Sequence, residues 1–465
     1  MSKLSEEVVD TILHHGRIYE VGGAVRDRLL GRDDAVKDRD YLVTGIPYDD
    51  LTRLLKKFGR VDLVGKSFGV IKFTQFRDEA PHTFDIALPR KEHSTGVGHQ
   101  DFAVNFDSGI SVEDDLVRRD FTINAMAWAL DSSDLVDPLG GKLDLENKIL
   151  RMTSPESFVE DPLRMLRAIQ FAARFEFAIE PETFKAIREN AQLISTVSAE
   201  RIAEELTKLL VLAKQPSNGF RLMHDCHLLG HVLPELEDCY GVDQPGGFHQ
   251  YDVFEHTIRA IDNCKPELRI RLAALFHDIR KPQARRLVDK GATFYGHEMA
   301  GAKTAKYVMH RLRFPNDLGT EVGKLVEMHM FTTDVTDKGM RRLIRRVGID
   351  LIFDLLDLRR ADVAAMGMGR TTEDVDVFEK QIRDEIEKKP PFGLKDLALS
   401  GSDLMEMLDI PPGPVVGKIL DHLLERVLDV PEDNTPAKLK VFAREYYRNL
   451  LKSDNAIAND KGQDA

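Results

Sequence analysis

The stretch YEVGGAVRDRLLGRDDAVKDRDYLV, residues 19–43, decides how the chain begins to fold. Tyr19 to Val21 reads as a strand, Gly22-Gly23 as a tight turn and Ala24 to Leu30 as a helix. Residues without a Cβ at such a junction let backbone N–H groups approach an anion, and the helix N-terminus adds partial positive charge. Arg26, in the first turn of that helix, carries the forked donor set that suits phosphate. The pattern describes a place for a triphosphate.

Asp38-Arg39-Asp40 then runs into Tyr41-Leu42-Val43, the start of a second strand. Residues two apart on a strand face the same way, so Asp38 and Asp40 present two carboxylates together. Like charges held that close repel unless cations lie between them, and hard oxygen ligands suit Mg²⁺. A pair of Mg²⁺ ions stabilises the attacking and leaving oxygens of a phosphoryl displacement, so the spacing predicts nucleotidyl transfer. Gly-Gly before a helix and Asp-x-Asp are each common in ordinary turns, whereas the full string GGAVRDxLLG(x)6DxD is far more specific. It resembles the signature of the tRNA nucleotidyltransferase and poly(A) polymerase family, class II of the polymerase-beta-like nucleotidyltransferases.

At 465 residues the chain is too long for a single core, and several domains are expected. Its 42% hydrophobic and 31% charged residues are those of a soluble globular protein. No apolar run approaches a membrane span and no basic-then-apolar leader is present, so the expected location is cytoplasmic with no membrane partner. Cys226, Cys239 and Cys264 lack metal-ligand spacing and read as small core residues of a reduced compartment. The net charge of −13 argues against an RNA partner, but Arg269–Arg286 and Lys338–Arg346 are locally basic within the acidic whole.

Beyond the Asp pair, a helix from Tyr48 to Phe58 and strands around Val61–Val64, Gly69–Phe76 and His82–Ala87 form the pattern of a small α/β palm. Asp85 alternates with apolar Phe84 and Ile86, so it is either a third carboxylate beside Asp38 and Asp40 or a solvated strand residue; the resemblance favours catalysis. Pro89 to Ser111 is polar and glycine-containing and reads as a loop beside the site. Family members that add only two cytidines have a shortened loop at this place, and its length here disfavours a CC-only enzyme. Glu113 to Leu130 resembles the family motif RRDFTxNAxA, which implies nucleotide-binding roles for Arg119, Asp120 and Asn124. If that segment is helical, Asp120 and Asn124 share a face.

From Ser157 the pattern is helical through EDPLRMLRAIQFAARF, with Asp161, Arg164 and Arg167 on one stripe and Leu163, Leu166, Ile169 and Phe171 towards a core. An Asp and an Arg side by side offer the acceptor and donor atoms that read a base edge, although a plain ion pair uses the same residues. The string resembles the family's EDxxR motif, which implies that Asp161 and Arg164 act as a protein template for CTP or ATP. Ser198 is a candidate N-cap for a following helix whose Glu204 and Glu205 read as structural.

Further on, the chain supplies His256, His277, Asp278, His297 and His329. An adjacent His-Asp with another His upstream is a metal-ligand pattern. It looks like an HD-superfamily phosphohydrolase domain, which implies His256, His277, Asp278 and Asp362 as ligands of a further divalent metal. Such domains usually read HDIGKP; Arg280 stands in the glycine place here, either hindering metal or binding phosphate. Helical segments then recur around Pro411-Pro412-Gly413-Pro414, Lys438 to Lys452 reads as an amphipathic helix, and residues after 453 read as a disordered tail.

The expected architecture is α+β: a nucleotidyltransferase head with a small mixed sheet over residues 1–145, a helical neck over 146–215, an HD domain over 245–370 and a helical tail over 371–452. The resemblance implies a template-independent enzyme that adds CCA to tRNA from CTP and ATP. Its rivals are an A-adding enzyme, a poly(A) polymerase, a metal phosphohydrolase acting on RNA ends, and an RNA-binding module without catalysis. The poly(A) group resembles a GRRF-containing string after the Asp pair, where this chain reads VGKSFG over 64–69, which favours tRNA.

Overall fold

The computed structural model describes residues 3–32, 39–65, 69–77, 80–94, 102–247, 249–289, 291–367, 369–388 and 390–460. The chain forms two compact units, one of Met1–Val242 with Pro266–Arg271 and Val308–Pro315, the other of Asp243–Lys265, Leu272–Tyr307 and Asn316–Ala465. No helix among the described residues is long and apolar enough to cross a membrane.

The first unit opens with helix α1 (Glu6–Leu13), strand β1 (Arg17–Val21), helix α2 (Gly23–Leu29), strand β2 (Asp40–Thr44) and helix α3 (Tyr48–Leu55). Strands β3 (Arg60–Gly65), β4 (Val70–Arg77) and β5 (Ala80–Ala87) follow, then β6 (Arg90–Ser94) and β7 (Phe102–Phe106). Helix α4 (Val112–Val117) leads to β8 (Ala127–Ala129) and β9 (Leu135–Val136). Seven of these strands make one mixed sheet in the order β3-β4-β5-β2-β1-β8-β9. The polar segment expected as a loop is in part a separate antiparallel ribbon, because β6 and β7 pair with each other from Arg90↔Phe106 to Ser94↔Phe102.

Strand alternation gives the sheet two apolar faces. One buries Ile18, Tyr41, Val43, Phe84 and Ile86 under Val8 and Ile12 of α1 and Leu51 and Leu55 of α3. The other buries Tyr19, Val21 and Leu42 against Val112 and Leu116 of α4. Asp40 and Asp85 have the parity of this second face, and β2 and β5 run parallel with Asp40 opposite Asp85.

Helix α5 (Gly141–Glu146) and a short parallel pair, β10 (Ile149–Leu150) with β11 (Ala178–Ile179), precede and bracket the neck. There the expected single helix is broken into α6 (Ser157–Glu160) and α7 (Leu163–Phe175). Asp161 sits between them in an extended conformation and Pro162 caps the second, since proline disfavours helical geometry at the residue before it. Asp161 therefore does not share a helical stripe with Arg164 and Arg167. Helices α8 (Pro181–Asn190) and α9 (Ala199–Leu212) follow, with Ser198 at the N-cap of α9 but making no side-chain capping bond.

Among its described residues the second unit is helical apart from one hairpin, β12 (Arg286–Val288) with β13 (Gly291–Thr293). Its C-terminal part has a core of its own around Leu404, Ile419, Leu423, Val427 and Leu439. The basic run Lys338–Arg346 is largely consumed inside this unit: Arg341 pairs with Glu385 at 2.8 Å, Arg342 with Asp429 at 2.9 Å, and Lys338 and Arg345 with Asp429 and Glu425. Local basicity there is matched by local acid, so it offers little surplus charge to a phosphate backbone. The last helix runs from Pro436 to Asp460, through positions 453–460 where composition suggests a disordered tail.

Within the sheet, the residue between the two aspartates is anchored separately. Arg39 is buried and pairs with buried Glu20 of β1. Removing one partner of a buried pair leaves an uncompensated charge, which costs about 3–5 kcal/mol. Glu20→Ala is expected to lower stability by that amount in urea unfolding, and the double replacement Glu20→Met with Arg39→Met to recover most of it.

Candidate active site and metal centre

At the head, Gly22 has φ +72° and caps α2. A Cβ there would meet the Arg119 guanidinium at 2.9 Å in a backbone conformation side chains rarely adopt, so the position calls for glycine twice over. The Gly22 N–H is already bonded to the Met126 carbonyl at 3.2 Å, so it extends the β1–β8 ladder rather than meeting an anion. Gly22, Gly23, Arg26, Asp40, Arg119, Asp120, Asn124, Asp161, Arg164, Arg167 and Arg201 line one cleft of about 340 Å³. Asp38 lies outside the described residues, and Asp85 is not among the lining residues but stands beside Asp40 in the register of β2 and β5.

A chain of hydrogen bonds runs under this cleft. Arg26 Nη1 donates to Asn124 Oδ1 at 2.7 Å, Asn124 Nδ2 donates to Asp120 Oδ1 at 2.9 Å, and Arg167 donates to Asp120 Oδ2 from Nη2 at 2.7 Å and Nε at 3.0 Å. Arg167 also lies 3.6 Å from buried Glu205 of α9, which supports the structural role read for Glu205. Burial pushes the Asp120 carboxyl up, but Arg167 and Asn124 outweigh it and hold it below the usual carboxylate range. Both Asp120 oxygens are occupied, so Asp120 and Asn124 orient Arg26 and Arg167. The segment is not the helix that would place them on one face: α4 ends at Val117 and a 3-10 turn spans Thr122–Asn124. That turn brings the two side chains together all the same.

The neck residues do not form the plain ion pair. Asp161 accepts from the Leu163 N–H at 3.2 Å and from Arg201 Nη2 at 2.8 Å. Arg164 donates to Ser157 Oγ at 2.9 Å and to the Arg118 carbonyl at 3.1 Å. Arg201 was not among the sequence candidates. Its signal was present, an arginine in the first turn after the Ser198 cap, but only the packing of α9 against α7 puts it beside Asp161.

In the second unit the histidines converge. His256 lies on the helix Val253–Asp262, His277 and Asp278 follow the helix Leu268–Phe276, His297 opens the helix His297–Arg311, and Asp362 lies on Ile349–Ala365. His256 Nε2 is 3.1 Å from Asp362 and 3.4 Å from Asp278; His277 Nε2 is 3.2 Å from Asp278. His297 Nε2 lies 3.3 Å from the other Asp278 oxygen, and His329 Nε2 is 3.3 Å from that of His297. His277, His297 and His329 each turn Nδ1 to a backbone carbonyl three residues earlier, at 2.7 to 2.8 Å, which fixes the tautomer and aims Nε2 inward. His297 and His329 therefore join the four sequence candidates, on equal geometric terms.

Burial pushes Asp278 up, but His277 and Lys281 outweigh it and hold it well below the carboxylate range; Asp362 is held low in the same way by His256. Burial and the neighbouring His277 push His329 down to about 3, so it is neutral and able to donate a lone pair. Buried imidazoles aimed at each other around two carboxylates are a donor set that fits a divalent transition ion. Arg280 is not among the residues lining the adjoining cavity of about 670 Å³; Lys281 is, paired with Asp278 at 2.6 Å.

The fold and the two sites define a nucleotidyltransferase head with a helical body, and comparison with known proteins agrees. The Poly A polymerase head domain matches residues 18–151, the Probable RNA and SrmB- binding site of polymerase A matches 176–240, and tRNA nucleotidyltransferase domain 2 matches 295–443. The chain is 41% identical over 308 residues to the Multifunctional CCA protein of Janthinobacterium sp. (strain Marseille), covering 65% of this chain and 70% of the relative. The corresponding protein of Herminiimonas arsenicoxydans is 40% identical with the same coverage. In fold it is similar to the Bacillus stearothermophilus CCA-adding enzyme in complex with CTP, at TM-score 0.70 and 23% identity over 96% of this chain and 98% of that one. The Thermotoga maritima CCA-adding enzyme complexed with tRNA shares the fold at TM-score 0.57 and 21% identity, over 96% of this chain and 97% of that one. The chain belongs to the class II CCA-adding enzyme family.

The histidine cluster makes a prediction that is independent of catalysis. A ligand that binds only the folded state stabilises it by about 2.7 kcal/mol at a hundred times its dissociation constant. Adding Ni²⁺, which favours imidazole ligands, to metal-stripped protein is expected to raise the calorimetric unfolding temperature, and His256→Ala to reduce that rise.

Proposed function

We propose that this chain is a template-independent tRNA nucleotidyltransferase that completes the 3′-terminal CCA from CTP and ATP. The observation that supports this reading is the head cleft, which brings Gly22, Gly23, Arg26 and Arg119 together with Asp40, Asp161 and Arg164. The RNA 3′-hydroxyl attacks the α-phosphorus, a new O–P bond forms, the bond to the β-phosphate bridge breaks, and pyrophosphate leaves. Asp38, Asp40 and Asp85 would hold two Mg²⁺ ions, which supply charge stabilisation to the attacking and leaving oxygens. Asp40 is exposed in the cleft and registered against Asp85, which fits that donor set. Arg26 and Arg119 hold the triphosphate. Asp161 and Arg164 read the base, and Arg201 holds Asp161 in place.

A second activity is proposed at the histidine cluster: hydrolysis of a phosphoester, with terminal or cyclic phosphates at RNA ends as the substrates. His256, His277, Asp278 and Asp362, joined by His297 and His329, would hold the metal, which polarises phosphoryl oxygen and activates water. Lys281 and Arg359 line the same cavity and meet the phosphate charge. A cytoplasmic location accords with both activities.

Incorporation into transcripts of one tRNA ending before CCA, after C and after CC tests the first reading. Growth of the shortest transcript to a defined CCA end is expected. A single A on the CC-ended transcript alone would make the chain an A-adding enzyme, and long A tails would make it a poly(A) polymerase. Asp40→Ala is expected to lower incorporation by about a thousandfold, the several kcal/mol that such metal sites contribute, with tRNA binding retained. Retained incorporation would remove Asp40 from catalysis. Asp161→Ala is expected to lose about 5- to 150-fold in discrimination of CTP against UTP, the value of one bidentate base contact.

A further inference from the structure

Asp115 does not line the head cleft, yet it is a carboxylate buried to 2% exposure directly behind it, on α4. Several donors converge on its two oxygens, and they are shared unequally. Oδ1 accepts from Arg118 Nη2 at 3.0 Å, from Arg118 Nε at 3.2 Å and from the backbone N–H of Arg90, the first residue of β6, at 3.3 Å. Oδ2 accepts from Arg119 Nη2 at 3.2 Å. Positions 115 and 119 are four apart, the spacing at which an acid and a base meet across one helical turn.

Arg119 is the partner that reaches the cleft, and its guanidinium lies against Gly22. Among the described residues its side chain has no acceptor besides Asp115, and its Nε is buried without one. Arg26, by contrast, is held twice, by Asp27 at 2.8 Å and by Asn124 at 2.7 Å. A long side chain gives up rotamer freedom when it closes on a phosphate, and a carboxylate that fixes its fork beforehand removes that cost from binding. For Arg119 that fixing falls to one oxygen of one buried residue.

We infer that Asp115 is a positioning residue for nucleotide: through Oδ2 it sets the Arg119 fork against Gly22 for the triphosphate, while Oδ1 secures the carboxylate itself to Arg118 and to the start of β6. This inference rests on the reading of Arg119 as a triphosphate contact. The unequal sharing dictates what asparagine does at this position. Its amide oxygen stays with the several donors at Oδ1, and its NH₂ group takes the place of Oδ2, where a donor then faces the Arg119 donor. Asp115→Asn therefore releases Arg119 while the rest of the junction keeps its acceptor.

The test uses the full chain with Mg²⁺ in excess, a tRNA transcript ending in CC, and ATP, with inorganic tripolyphosphate as a competitor that carries the phosphates without a base. In Asp115→Asn the KM for ATP and the inhibition constant of tripolyphosphate are expected to rise together about tenfold, with kcat kept. Arg119→Ala is expected to raise both at least as far, and adding Asp115→Asn to it to raise neither further, because Asp115 acts through that guanidinium. Additive effects in the double variant, or a loss of kcat with both constants unaltered, overturn the inference, since a merely structural role produces those results. A raised inhibition constant in Arg119→Ala with an unaltered one in Asp115→Asn overturns the inference alone. An unaltered constant in Arg119→Ala overturns the triphosphate reading of Arg119, and the inference with it. Asp115→Glu keeps both oxygens but displaces them by one methylene, and it gives the same comparison, with the same shared rise expected, where the asparagine variant does not fold.

Discussion

The head and neck depend on one partly buried ion pair, Arg167 with Asp120, and on the hydrogen bonds that continue from it. Asp120 arises in the turn between α4 and β8, while Arg167 arises in α7. Their charges are each opposed by burial and each sustained by the other, so neither segment is satisfied alone. Through Asn124 the same carboxylate sets Arg26 on the glycine-turn helix, and through Arg167 it reaches Glu205 on α9. The glycine-turn helix, the turn after α4 and the helices α7 and α9 are thus tied together through one carboxylate.

Asp278 has the comparable place in the second unit. It is the carboxylate common to both metal-ligating groups, His256 with His277 and His297 with His329, and it also meets Lys281. Three helices and the C-terminal ends of two more bring the cluster together around it, and the outward Nδ1 atoms of three of the histidines are spent on backbone carbonyls three residues earlier. Burying this much polarity is costly unless the inward lone pairs are engaged.

Much of the head was legible because its signals are local. Strand alternation placed Tyr41, Val43, Phe84 and Ile86 on one face, and the glycine pair marked a junction whose positive φ at Gly22 no other residue adopts without strain. The neck was misread at Asp161 even though the signal was local too: Pro162 breaks the helix, and the stripe argument passed over it. The segment 89–111 was read by polarity alone, which does not separate a loop from an exposed two-stranded ribbon. Local basicity misled in another way, because the acids that neutralise Lys338–Arg345 lie 44 to 91 residues further on, in the helices Glu373–Glu387 and Pro414–Asp429.

By itself, the sequence determined the first strands and helices of the head, the glycine turn between them and which side chains alternate toward a site, since these follow from backbone sterics and from periods of two and 3.6 residues. Tertiary structure alone decided that Asp85 stands beside Asp40, because parallel pairing of β2 with β5 is a choice of register between strands far apart in the chain. It also decided that Arg201 holds Asp161 and that His297 and His329 complete the cluster around Asp278. Those relations arise from packing between helices, whose rotation about their axes is set by the whole core and is written in no single stretch.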